Sequence, residues 1–97
     1  MEKMLYLNSL FDIYKDLLTD KQKQYFMDYY FNNLSLSEIA EKYSVSRNAI
    51  FNQLKIIEEK LIDYEKKLKI YAKKLEINDI MELIDNKDVK RVLESLF

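Results

Sequence analysis

Ser46, Arg47, Asn48, Asn52 and Lys55 are the residues of this 97-residue chain whose types and spacing carry recognisable chemistry. An asparagine amide pairs two hydrogen bonds with an adenine edge, and arginine or lysine holds phosphate, most readily where a helix N-terminus adds its free N–H groups. A helix that starts after Ser46 turns ~100° per residue, so Asn48, Asn52 and Lys55 point one way and Ile50, Leu54 and Ile57 the other. The first set would face a nucleic-acid groove. Catalysis has less to work with, because the chain contains no Cys and no His. That removes thiolate and imidazole nucleophiles, Cys/His zinc sites and any unperturbed side chain titrating near neutral pH. The carboxylates and lysines form no pair set apart from an ordinary solvated helix face. No catalytic residue, metal or cofactor is expected, and the chain reads as a non-enzyme.

Two N-caps position these groups. Ser35 with Glu38 three residues later is a capping box that opens a short helix, and Ser46 supplies a second N-cap hydroxyl after Tyr43-Ser44-Val45. Ile39, Ala40 and Tyr43 give the short helix an inward face, Val45 is expected to plug the turn, and Ile50 and Leu54 bring the next helix back onto it. Residues 35–55 therefore read as a helix-turn-helix. Two short helices and a turn also occur in all-helical cores that never touch nucleic acid, so fold and binding are separate expectations.

Composition is consistent with a single domain over residues 1–97: a helical core to about residue 60, then an extension from 56 with tail helices. Hydrophobic residues make up 48% and charged residues 34%, a globular balance. Gly and Pro are absent, which removes hairpin chemistry and leaves an all-α fold. A winged-helix-type DNA-binding core without the wing is the expected form of its helix-turn-helix. No apolar run approaches the ~20 residues of a membrane span and the start lacks a signal-peptide core, so a cytoplasmic protein is expected.

Before the helix-turn-helix, Met4, Leu7, Phe11, Tyr14 and Leu18 recur at three and four and predict an amphipathic first helix. Thr19 and Gln22 form another capping box, opening a helix with five aromatics between Tyr25 and Phe31. Such density reads as core, with base stacking as the alternative. Asn32-Asn33 ends that helix, Asn substituting for Gly at a left-handed cap.

After the motif the apolar pattern runs on. Ile50, Leu54, Ile57, Leu61, Tyr64, Leu68, Tyr71 and Leu75 alternate at four and three without a breaker, predicting one helix from Arg47 to Leu75, ~43 Å long. Leu61, Tyr64, Leu68, Tyr71 and Leu75 then form a candidate homodimer seam, in which parallel pairing sets Lys60 opposite Glu65 of a partner. Ile56, Ile62 and Ile70 lie off the seam, which predicts burial on more than one side. Lys66, Lys67, Lys69, Lys73 and Lys74 make the most basic stretch and are candidate RNA phosphate contacts, since RNA shape is read through its backbone. The tail, with Ile80, Met81, Leu83, Ile84, Val89, Val92, Leu93, Leu96 and Phe97, predicts one or two short helices divided near Asn86-Lys87-Asp88. It is too apolar to be left uncovered, and is expected against the long helix or across a dimer.

The run from Leu18 to Ile50 resembles region 4 of bacterial sigma factors, over about a third of the chain. More specifically, the chain resembles the YlxM family of small bacterial helix-turn-helix proteins. The likeness rests on Leu18-Thr-Asp-Lys-Gln, Tyr29-Tyr30, Leu34-Ser-Leu-Ser-Glu-Ile-Ala and Asp63-Tyr64-Glu65, and thins after about Leu75. It implies a non-enzymatic accessory or regulator of the signal recognition particle pathway, a role attached to the family because its members are encoded beside the particle's GTPase. DNA, the particle's RNA and that GTPase are the partners implied. Sigma-like readers are richer in basic residues. Between Ser35 and Ile56, Lys42, Arg47 and Lys55 stand against Glu38 and Glu41, a net charge of +1. Because phosphate neutralisation supplies most non-specific affinity, weak binding to duplex DNA alone is expected. A DNA-binding transcriptional regulator and a protein-interaction module that keeps the fold without reading DNA are the alternative functions.

Overall fold

Side-chain caps decide where the helices begin. Thr19 Oγ1 accepts the Gln22 N–H at 3.1 Å while Gln22 accepts back from the Thr19 N–H, and Ser35 and Glu38 form the same reciprocal pair. Each box satisfies two N–H groups that a helix start otherwise leaves open. The computed structural model describes residues 2–83 and 87–96, so the expectations that rest on Ile84, Asn86 and Phe97 lie outside the described residues. These fold as α1 (Glu2–Tyr14), a 3-10 turn (Lys15–Leu17), α2 (Asp20–Tyr30), α3 (Leu36–Tyr43), α4 (Arg47–Leu68), α5 (Ile70–Glu82) and α6 (Lys87–Glu94). No strand occurs among them, and the all-α helix-turn-helix fold stands.

In a chain without glycine, Asn33, Ser44 and Lys69 supply the left-handed backbone positions among the described residues, with φ of 56°, 57° and 54°. Asn33 does so where its amide side chain tolerates that region best. Ser44 allows the Val45 N–H to reach the Ala40 carbonyl at 3.0 Å, closing the turn between α3 and α4. This backbone bond closes the turn in place of the Val45 side chain, which is exposed.

One apolar cluster holds α1 to α4 together, and α4 is its axis. Ile50, Leu54, Ile57 and Leu61 are buried against Leu7, Leu10 and Phe11 of α1, Phe26 of α2 and Ile39 of α3. Phe11 stacks on Phe26 with centroids 4.3 Å apart. Met4, expected on the inner face of α1, is exposed, and Leu10 takes the inward place. Tyr25 and Phe26 are core, whereas Tyr29 and Phe31 keep an exposed face.

Asp28 is buried in this core and fully partnered. Lys42 Nζ donates to both carboxylate oxygens at 3.1 Å, Tyr43 donates its hydroxyl at 2.7 Å and Asn32 its amide at 3.2 Å. Burial by itself pushes the carboxyl up, but the hydrogen bonds from Tyr43, Lys42 and Asn32 outweigh it and hold Asp28 below the usual carboxylate range. At the other end of the scale, burial and then the hydrogen bond to Glu65 push the Tyr14 hydroxyl up to about 12. By linkage, the Asp28 contribution is present above its unfolded pKa and lost as pH falls through the lower folded value. The Tyr14 contribution is full below about pH 10 and is lost as pH rises from there through about 12. Melting curves across pH should therefore give a plateau with two falling arms. Tyr14→Phe should make the alkaline arm shallower, and an unchanged alkaline arm would contradict this account.

The continuous helix to Leu75 does not form. Lys69 turns left-handed, α4 stops at Leu68, and α5 departs in a new direction. Glu65 causes the break: its carboxylate, buried in the corner, accepts the N–H groups of Tyr71 at 2.9 Å and Ala72 at 3.1 Å, capping the start of α5 from the preceding helix. The Tyr14 hydroxyl donates to the same carboxylate at 2.7 Å and accepts the Ile70 N–H at 3.2 Å.

The proposed seam is corrected with it. Leu61 is 0% exposed, deep in its own chain's core, and Tyr64 leans on Tyr14 with centroids 5.9 Å apart. Tyr71 meets Tyr6 edge-on at 5.5 Å on the far side of the break. Leu68 and Leu75, each 47% exposed, lie on different helices. The flanking charges are engaged at home as well, Lys60 with Gln22, Glu58 with Tyr30, and Glu65 in the corner. Ile56 and Ile62, expected to be covered, are exposed.

The tail is not folded back over the core. Neither α5 nor α6 has a fully buried residue among those described, α6 packs chiefly on α5, and Leu83 is 87% exposed. The radius of gyration, 16.8 Å, exceeds the about 13 Å of a compact domain of ~100 residues because this arm stretches the molecule to 54 Å. The inward face of α4 is filled by α1, α2 and α3, and of the arm only the start of α5, through Ile70 and Tyr71, packs against the core.

Candidate nucleic-acid interface

The start of α4 is set by Ser46, whose hydroxyl accepts the Ala49 N–H at 3.0 Å. From there the helix divides as its spacing requires. Ile50, Leu54 and Ile57 are buried, while Ser46, Arg47, Asn48, Asn52 and Lys55 are all exposed. Since the buried face is locked by α1, α2 and α3, the outward face is presented rigidly, as a reader of base edges requires.

Phe51 belongs to this face and sequence reasoning passed over it. It is 52% exposed, and among the described residues no other ring packs on it. The signal was available in its position three after Asn48 and four before Lys55, but an apolar residue type is easily assigned to the core.

Charge on the face is scarce. Lys42 is held by Asp28 and is therefore not a free phosphate ligand. Among the described residues neither Arg47 nor Lys55 is in an ion pair, so these two supply the free positive charge of the motif. On α3, the Glu38 carboxyl is held low by hydrogen bonds from the Ser35 backbone and side chain, and its charge stays beside its own helix N-terminus.

The second candidate cluster sits at the corner between α4 and α5. Lys66, Lys67, Lys69, Lys73 and Lys74 are exposed there, with Lys67 bridged to Asp63 at 2.9 Å. The structure does not bring this cluster to the reader face. The two lie at opposite ends of α4, roughly 30 Å apart at ~1.5 Å per residue. A ligand touching both must be extended along the molecule. Asp63-Tyr64-Glu65 serves the fold here, through the Glu65 corner and a hydrogen bond from the Tyr64 hydroxyl to the Leu17 carbonyl at 3.3 Å.

No group of His, Cys, Asp or Glu among the described residues is arranged to hold a metal ion. Likewise, no helix among them is long and apolar enough to cross a membrane.

Similar proteins occur in bacteria. A UPF0122 protein of Halalkalibacterium halodurans is 39% identical over 104 residues, covering 99% of this chain and 95% of its own. One from Ureaplasma urealyticum is 43% identical over 94 residues, covering 97% and 95%. Another, from Bacillus licheniformis, is 45% identical over 84 residues, covering 87% and 78%. With residues 1–96 matched by the model of the YlxM/p13-like helix-turn-helix proteins, the chain belongs to the UPF0122 family.

Proposed function

We propose that this protein is a non-enzymatic, nucleic-acid-binding accessory of the signal recognition particle pathway, working in the cytoplasm and touching the particle's RNA or its GTPase. The pathway follows from the resemblance to YlxM-type proteins. The observation that carries nucleic-acid binding is the outward face of α4, where Arg47, Asn48, Asn52 and Lys55 stand exposed over a helix whose other face is fixed in the core. Two unpaired cations favour an accessory over a stand-alone repressor. A repressor has to outcompete a vast excess of non-specific sites, whereas an accessory binds through several small linked contacts. Lys66, Lys69, Lys73 and Lys74 would add such contacts on RNA phosphates. The exposed apolar residues Leu75, Ile80, Leu83, Val92 and Leu96 support homodimerisation through the arm, the acidic tail of one copy meeting the basic corner of the other.

The test is a parallel titration at ~150 mM salt, near physiological ionic strength, against particle RNA, particle GTPase and random duplex DNA. The protein should bind a particle component more tightly than the duplex pool. Changing Asn48, Asn52 and Lys55 together to Ala should weaken RNA binding and move stability by no more than about 0.5 kcal/mol per site, as exposed substitutions do. Selection of one duplex sequence at nanomolar affinity, with no binding to either particle component, would establish a DNA-binding transcriptional regulator instead. Binding to the GTPase alone, insensitive to salt and to the triple change, would establish a protein-interaction module.

A further inference from the structure

Beside the reader face lies a groove of about 300 Å³ whose walls are Tyr29 and Tyr30 from α2, Leu36 from α3, and Phe51, Lys55 and Glu58 from α4. We infer that this groove receives one unpaired nucleobase of a looped or single-stranded RNA, stacked on Phe51 and Tyr29, with Lys55 holding the adjoining phosphate. The inference rests on the nucleic-acid reading above and specifies which part of the ligand enters the protein.

Four features fix the occupant as a base. The groove is continuous with the reader face, because Phe51 and Lys55 stand on the same side of α4 as Asn48 and Asn52. Three of its lining residues, Tyr29, Tyr30 and Phe51, are aromatic, and aromatic faces take bases of any sequence by stacking. Phe51 is half exposed without a ring partner among the described residues, and Tyr29 keeps an open face although its ring meets Tyr30 edge-on at 5.0 Å. Glu58 decides what stays outside. A carboxylate repels phosphate, so the backbone remains at the rim with Lys55, while a base can offer the carboxylate an N–H from its edge. One Glu58 oxygen accepts the Tyr30 hydroxyl, and among the described residues the other has no partner.

The base must be unpaired, since in a duplex its faces are hidden in the stack. Single-stranded loops are where proteins find splayed bases to stack on side chains. A reader with two free cations gains from this mode, because stacking adds affinity without further positive charge.

The experiment compares a stem-loop RNA with a fully paired RNA of the same stem, using the full chain and four variants. Wild type should prefer the stem-loop. Phe51→Ala and Tyr29→Ala should each lose about tenfold on the stem-loop, within the range of stacking losses, and clearly less on the paired RNA. Arg47→Ala should weaken both. Phe51→Leu keeps apolar bulk at the site, so it holds the fold while still losing the stem-loop preference. Equal affinity of Phe51→Leu and wild type for the stem-loop, or equal losses on both RNAs, would overturn the inference and leave the nucleic-acid reading intact. No binding of wild type to either RNA would overturn both.

Discussion

Glu65→Ala is expected to lower stability by roughly 3 kcal/mol, since hydrogen bonds to a charged group contribute about 1.5–3 kcal/mol each and are not fully additive. Three donors lose their acceptor at once: the Tyr14 hydroxyl and the N–H groups of Tyr71 and Ala72. The last two open α5, so its N-terminal cap disappears with the carboxylate, a loss worth about 1 kcal/mol by itself. The Lys69 backbone adds to the effect. A non-glycine residue held left-handed costs roughly 1–2 kcal/mol, and it is tolerated here because Glu65 and Tyr14 hold the chain on the far side. Glu65→Gln keeps one carbonyl acceptor and should lose less. At roughly 4–8 °C per kcal/mol for a domain this size, Glu65→Ala should melt more than 10 °C early. Thermal denaturation followed by circular dichroism decides it. A variant that melts within a degree or two of wild type would contradict the capped corner.

A larger loss is expected from Leu61→Lys, and its contrast with Leu68→Lys separates core from surface. Leu61 is 0% exposed inside the cluster of α1 and α4, so an ammonium there has no water and no partner. Truncating a buried leucine alone costs about 2–5 kcal/mol, and an unpaired charge raises this beyond what a marginally stable domain of ~100 residues tolerates. Leu61→Lys should yield an unfolded chain. Leu68→Lys, at a site 47% exposed, should leave each chain folded. Circular dichroism and light scattering together read both results. A folded Leu61→Lys that runs as a single 11.8 kDa chain, with wild type running as a pair, would restore the intermolecular seam.

Local chemistry made most of the core legible in the sequence. Capping boxes are short-range: Thr19 and Gln22, or Ser35 and Glu38, are three residues apart, and each pair makes its bonds wherever the helix lies. The inward face of α4 was legible for a similar reason, since Ile50, Leu54 and Ile57 share a helical period that only one side can satisfy. The break at Lys69 was hidden because nothing local marks it. The heptad runs unbroken through Leu68 to Leu75, and the carboxylate that ends α4 is held by Tyr14, 51 residues away in the chain. Charge patterning misled in the same way. Lys60 and Glu65 look like solvated flanks, yet Gln22 and Tyr14 partner them within the fold. On the candidate site, polar residue types made Asn48, Asn52 and Lys55 visible, while Phe51 was masked by its apolar side chain.

The most direct measurement is an NMR titration of the 15N-labelled chain with particle RNA at ~150 mM salt, following each backbone amide. The account predicts that shifts concentrate on residues 46–55, extend to Tyr29 and to the lysines between 66 and 74, and leave the buried residues Leu10 and Tyr14 of α1 unmoved. Shifts confined to α5 and α6, or none at saturating RNA, would contradict a nucleic-acid interface built on α4.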